Sequence, residues 1–279
     1  MSGRAQPAIR RILVALDAST GSVGALRAAA AVAAAASAEL AALYVEDVNL
    51  LHLAALPFAS EVDPISGRAR PLQREGMERL LRAQGLRAQQ AFVQATAHLR
   101  ASCSFRVTRG RIVPALLQAA LEADLVALGA IGSVSAARGG LGSIARAVIA
   151  ETERPVLILP HGAALRPPIA VVVDAASGAG DALAFGAHLG GYFPSSELVV
   201  LLIAAGPKQA QALRDAAEAV LAGTEARYRA VDAADVDTLG RALRAERVGT
   251  LVLSRTSPSL SVESLGELLG RTNVAVLLV

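Results

Sequence analysis

Short, uninterrupted apolar runs alternate along this chain with helix-forming stretches, and the whole alternation occurs twice. The first set of runs covers residues 12–16, 40–45, 103–108, 125–128 and 156–159; the second covers 169–173, 198–203, 226–231, 250–253 and 274–279. A strand with one face in water shows polar alternation. Runs without it are buried on both faces, as in a parallel sheet covered by helices on both sides. Helix formers occupy 21–37, 72–100, 113–122 and 143–152 in the first copy. In the second they lie around Ala182 and at 208–221, 236–247 and 261–269. The expected fold class is therefore α/β: two tandem open, mostly parallel five-stranded sheets with helices on both faces, Rossmann-like in build. The expected domains are 1–162 and 163–279, joined by a linker at 161–168 that holds Gly162, Pro167 and Pro168. Self-similarity extends to detail, since the first run of each copy ends in a similar polar turn, Asp17-Ala18-Ser19 and Asp174-Ala175-Ala176-Ser177. The second copy is shorter. It lacks the connection at 46–70, which carries Pro57, Pro64 and Gly67 and fits no regular assignment, and it lacks the glycine loop described below.

Composition removes several function classes. Hydrophobic residues make up 53% of the chain but aromatics only 3%, so packing falls to Ala, Val, Leu and Ile, and a nucleic-acid partner gripped by base stacking is not expected. No uncharged stretch approaches the roughly 20 apolar residues that cross a bilayer. The longest, 182–196, contains Pro194, so no membrane partner is expected. Arg4, Arg10 and Arg11 before an apolar run resemble a secretion leader, but Asp17 interrupts the run and no small-residue cleavage site follows. Cys103 is the single cysteine; it excludes an internal disulfide, agrees with a cytoplasmic location and reads as a small buried hydrophobe. Lys208 is the only lysine, which rules out a phosphate-binding or Schiff-base lysine in the first copy. Arginines outnumber acids up to Arg166 and acids outnumber bases beyond it; this favours an anionic ligand in the first copy, although scattered solvated arginines explain it equally. His52, His98, His161 and His188 are too dispersed for a metal site, and neither Ser19 nor Ser133 sits in a nucleophile elbow. Glu46 and Asp47 could serve as a general base, but solvated strand-end carboxylates are the commoner case.

The most specific feature is the loop after the fourth run. Gly129 is followed two residues later by Gly132, then by nine residues, then by Gly142 and Ser143 at a helix start. Strand, glycine turn and helix N-terminus in this order suit phosphate: glycine lets the backbone approach, and unpaired first-turn N–H groups point at the anion. Ser143 could donate to a phosphate oxygen or cap the helix. A tight turn with a serine cap is the structural alternative.

These residues resemble the universal stress protein family, whose ATP-binding members carry Gly-x2-Gly-x9-Gly-Ser/Thr. The resemblance extends to ILVALDAS at 12–19, LYVED at 43–47, GAIGSVSAARGGLGS at 129–143 and RPVLILP at 154–160. It implies the adenine-nucleotide α-hydrolase type of fold, with ATP as ligand and Mg²⁺ arriving with it. By the same resemblance Asp17 holds the ribose or adenine, Ala15 lines the base pocket and the Val45 backbone meets the adenine edge. Leu128 and Gly129 flank the sugar; Gly132, Gly142 and Ser143 bind phosphate; Ile144 adds a backbone N–H. Ala130 and Ile131 are apolar where family members often carry a polar or basic residue, a role Arg138 could take over. Asp17 could instead cap its own turn. The corresponding stretch of the second copy, 251–270, has no glycine at its start, so nucleotide binding there is expected to be weak or absent.

The expected function is an ATP-binding regulatory or signalling protein with at most slow hydrolysis, because no residue is placed to activate water. The alternative is a non-nucleotide interaction module on the same scaffold. An ATP pyrophosphatase ranks lower, because a phosphate loop after the first strand is lacking. The apolar terminal strands, 155–159 and 273–279, are expected to pair with each other as an internal pseudo-dimer, leaving room for a homodimer of chains.

Overall fold

The structure, a computed structural model, describes residues 9–62, 67–131, 140–176, 180–193, 196–232, 235–257 and 261–279. The first copy runs β1 (Arg11–Leu16), α1 (Thr20–Ala36), β2 (Glu39–Asp47), α2 (Val48–Ala54), β3 (Ser60–Val62), β4 (Ala69–Pro71), α3 (Arg74–Thr96), β5 (Cys103–Gly110), α4 (Ile112–Ala120), β6 (Leu125–Gly129), α5 (Ser143–Glu151) and β7 (Val156–Leu159). The second runs β8 (Ile169–Val173), α6 (Gly180–Gly190), β9 (Leu198–Ile203), α7 (Pro207–Leu221), β10 (Ala226–Val231), α8 (Val236–Ala245), β11 (Thr250–Leu253), α9 (Val262–Arg271) and β12 (Ala275–Leu278).

Both copies have one topology. The sheet order is β10-β9-β8-β11-β12-β7-β6-β1-β2-β5, so each copy contributes a parallel five-strand array. The arrays fuse where β7 and β12 pair antiparallel, with Ile158 opposite Val276 and Leu157 opposite Leu277. The two expected sheets are thus one ten-stranded sheet, and the two apolar edges bury each other. The remaining edges are β5 and β10, which carry Arg106 and Arg109, and Arg227 and Arg229. Charged residues on an edge oppose further strand addition.

Alternate strand residues feed two cores. Ile12, Val14 and Leu16 face a layer that includes Leu26 of α1, Phe92 of α3, Leu183 of α6 and Leu221 of α7. Leu13 faces the other, with Leu116 of α4, Val148 of α5, Leu243 of α8 and Leu268 of α9. Both cores run through both copies, and each fully buried Leu or Ile contributes about 1.5–3 kcal/mol. The connection at 46–70 is more regular than its prolines suggest: Asp47 caps α2 by accepting from the Asn49 N–H at 2.9 Å, and β3 and β4 form a small hairpin. Gly85, which weakens α3 on propensity alone, lies against the Tyr44 ring, where a Cβ would come within 3.0 Å of the ring edge.

If the β7–β12 ladder joins the copies, Val276→Pro, which deletes an N–H in a strand flanked on both sides, will move the protein from the soluble fraction into aggregates on sedimentation. An unchanged soluble species would contradict the pairing.

Candidate functional site

Open parallel sheets bind ligands at the carboxyl ends of strands where the chain order reverses. In the first copy this point lies between β1, flanked by β2, and β6. A cavity of about 480 Å³ opens there, within the range of small-molecule sites. Its wall includes eight of the nine residues singled out in the sequence: Ala15, Asp17, Val45, Leu128, Gly129, Gly142, Ser143 and Ile144. The ninth, Gly132, lies outside the described residues, as do Ser133 and Arg138.

The β1–α1 turn is held by its own polar groups. Asp17 Oδ1 accepts from the Ser19 N–H at 3.0 Å, Ser19 Oγ from the Ser22 N–H at 3.1 Å, and the Ser22 hydroxyl donates to the Ser19 carbonyl at 3.0 Å. These bonds hold Ala18 at φ 60°, a left-handed conformation that a non-glycine residue adopts only at some cost. Asp17 therefore shapes its turn while also facing the cavity. Because Ser19 caps α1, the N-terminus of α1 is not an open anion site.

The N-terminus of α5 differs. Its cap residue is Gly142, with no side-chain cap, and its first turn contains no acidic residue. The cap role considered for Ser143 falls to Gly142, and Ser143 is instead an exposed first-turn residue. The Gly142 N–H is itself used, donating to the Ala130 carbonyl at 2.8 Å, which closes the base of the loop. The amides of Ser143, Ile144 and Ala145 have no intrahelical acceptor by helix geometry, and all three residues border the cavity. At the other end α4 begins with Arg111 as cap and no side-chain cap bond. Arg111 is the only arginine or lysine among the described residues of the wall.

Gly129 has a packing reason of its own. A Cβ there would lie 2.8 Å from the Gly21 carbonyl carbon and 2.9 Å from the Ser22 nitrogen. The end of β6 thus crosses directly over the first turn of α1, drawing Asp17 and the glycine loop together.

Sequence reasoning missed part of the wall. Tyr44, Leu81 and Gln84 line it, with the Tyr44 hydroxyl donating to the Leu81 carbonyl at 2.8 Å. Burial, aided by Glu46 and Asp17, pushes the Tyr44 phenol up to about 12, so it stays a donor at neutral pH. Arg111, Ile112, Val113 and Pro114 follow the carboxyl end of β5, and the strand-end rule applied to that strand would have found them. Glu46 is not solvated. It is buried and bound by Arg109, whose Nη2 lies 2.7 Å and Nε 2.9 Å from Glu46 Oε2. Cys103 is half-buried against the core, and burial pushes its thiol up.

Among the described residues, the equivalent positions of the second copy are occupied by their own side chains. Ser261 caps α9 by accepting from the Ser264 N–H at 3.2 Å, and Glu263 sits in its first turn. The buried Asp174 carboxylate accepts from the Ser257 hydroxyl and, at 2.9 Å, from the Ala176 N–H.

Comparison with known protein families matches residues 8–160, more than half of the chain, to the universal stress protein family. The chain belongs to the universal stress protein family. The fold recurs over nearly the full length in a universal stress protein from Archaeoglobus fulgidus DSM 4304, 15% identical, with a TM-score of 0.70 over 96% of this chain and 95% of that one. A putative universal stress protein from Pseudomonas aeruginosa UCBPP-PA14 is 18% identical, with a TM-score of 0.56 over 99% and 95%. A functionally unknown protein from Pseudomonas aeruginosa PAO1 is 17% identical, with a TM-score of 0.56 over 98% and 93%. At these identities the likeness is one of fold. No curated protein matches. Among the described residues no helix is long and apolar enough to cross a membrane, and no cluster of His, Cys, Asp and Glu could hold a metal ion.

Gly129→Ala should destabilise the fold by about 1–3 kcal/mol, as overpacking does, in chemical denaturation. An unchanged midpoint would contradict the backbone crossing at Gly21.

Proposed function

We propose that the first-copy cavity is an adenine-nucleotide site for ATP and that its occupancy serves a regulatory role. The observation that carries this is the contrast between two equivalent helices: α5 presents uncapped first-turn amides to a cavity, whereas α9 is capped by Ser261 and carries Glu263. Such amides, with the positive end of the helix dipole, are an anion site. In this reading Ser143 and Ile144 bind phosphate, with Gly142 leaving the approach clear and Arg111 adding positive charge. Ala15, Val45 and Leu128 enclose the base and sugar beside Asp17 and Gly129. Gly132 belongs to the same phosphate loop by the sequence resemblance. Mg²⁺ arrives with the nucleotide.

Hydrolysis would be slow at most. Glu46 is engaged by Arg109 and Asp47 by its helix cap, so neither strand-end carboxylate is free to act as a base on water. The second copy, its aspartate bound to Ser257, is a partner rather than a second site. In this reading the domains are 1–162 and 163–279. The lone Cys103 agrees with a cytoplasmic location. Any homodimer must use a surface other than β7 and β12, which pair within the chain.

A second reading, an interaction module that binds no nucleotide, draws on exposed apolar residues in the α2–β3 connection and on β3, where Phe58 is 80% and Val62 62% exposed. Absorbance of the supernatant after denaturation separates the two: adenine nucleotide released from purified protein supports the first, and none after incubation with ATP and washing supports the second. Gly142→Asp supplies a cap and a negative charge where phosphate would sit. It should raise apo stability by a few tenths of a kcal/mol while weakening ATP at least about tenfold in calorimetric titration. Undiminished ATP affinity would refute the site.

A further inference from the structure

The loop mouths of the two copies occupy equivalent positions in their own strand arrays. The Ala130 N–H donates to the Leu159 carbonyl at 2.8 Å, and the Arg255 N–H donates to the Val279 carbonyl at 2.8 Å. Arg255 is thus the second copy's counterpart of Ala130. Its side chain crosses into the first copy, where Nη1 donates to the Ile149 carbonyl and Nη2 to the Arg154 carbonyl, each at 2.6 Å. Ile149 lies in the last turn of α5, so a guanidinium from the second copy meets the negative end of the helix whose positive end borders the cavity. The Nε of Arg255 is buried with no acceptor, so this placement is held against a desolvation cost.

The other end of α5 is held as well. A Cβ on Gly266 of α9 would lie 3.3 Å from the Leu141 nitrogen, and one on Gly140, at φ 105°, would lie 3.4 Å from the Gly266 carbonyl oxygen. The α9 backbone therefore rests on the two residues that lead into Gly142. Arg146 ties the same corner, donating through Nε to the Leu141 carbonyl at 2.9 Å and lying 3.7 Å from Glu263. The reverse contact is absent by chemistry, since the methyl group of Ala130 cannot reach the carbonyl end of α9 as Arg255 reaches that of α5.

We propose that Arg255 and Gly266 are positioning residues through which the second copy holds α5 in the register that presents its first-turn amides to phosphate. The inference rests on the nucleotide reading above, and it makes the second copy a regulator of the first, with bound nucleotide biasing α9 and the 254–257 turn in return. Anything that moves α9 or the 254–257 turn then changes affinity for the phosphates without touching the base end of the cavity.

The test uses the full chain and the variants Arg255→Met, Arg255→Lys and Gly266→Val. In nucleotide-free protein, Arg255→Met and Gly266→Val should speed amide exchange across 140–151 by about tenfold or more, with β1 and β8 unchanged. ATP affinity should fall roughly 5- to 20-fold while adenosine, which lacks phosphate, binds as to the parent; Arg255→Lys should recover part of both effects. Unchanged exchange at 140–151, or equal losses for ATP and adenosine, would overturn the proposal. If the parent binds neither ligand, the nucleotide reading fails and this regulation with it, while the exchange data still report whether Arg255 holds α5.

Discussion

The ladder between β7 and β12 organises everything else in this chain. A strand buried on both faces by helices still exposes a row of N–H and C=O groups at its edge, and each copy ends on such a strand. Pairing the two edges satisfies both rows, merges the helical layers into two continuous cores and brings the loop mouths of the copies to opposite sides of one seam. It also places α5 and α9 close enough for Gly140 and Gly266 to meet backbone to backbone.

On this frame the copies have diverged through side chains at matched positions. Gly142 leaves the start of α5 uncapped, whereas Ser261 covers that of α9. Asp17 shares its carboxylate between a turn and a cavity, whereas the buried Asp174 is bound by Ser257. Ala130 ends at a methyl group where Arg255 reaches across the seam. Each difference engages a polar group within the second copy or couples it to the first, and none disturbs the strand order.

The fold was legible because its signal is local. Uninterrupted apolar runs mark buried parallel strands, and the repeat of the Asp-Ala-Ser turn marks the duplication. The glycine spacing located the α5 end of the cavity for the same reason. What escaped depends on contacts between distant segments. The α2 helix and the β3–β4 hairpin were masked by prolines and a glycine. The burial of Glu46 depends on its strand neighbour Arg109, and Gly85 on the ring of Tyr44. Arg255 bonds a carbonyl 106 positions earlier in the chain, and no periodicity announces such a pair.

The central claim is that a chain with two copies of one fold keeps a single nucleotide cradle. Isothermal titration of ATP into the intact protein measures this directly through its stoichiometry. One equivalent per chain is the predicted result. Two equivalents would mean that the Asp174–Ser257 region opens to ligand, and no detectable binding would remove the cradle altogether.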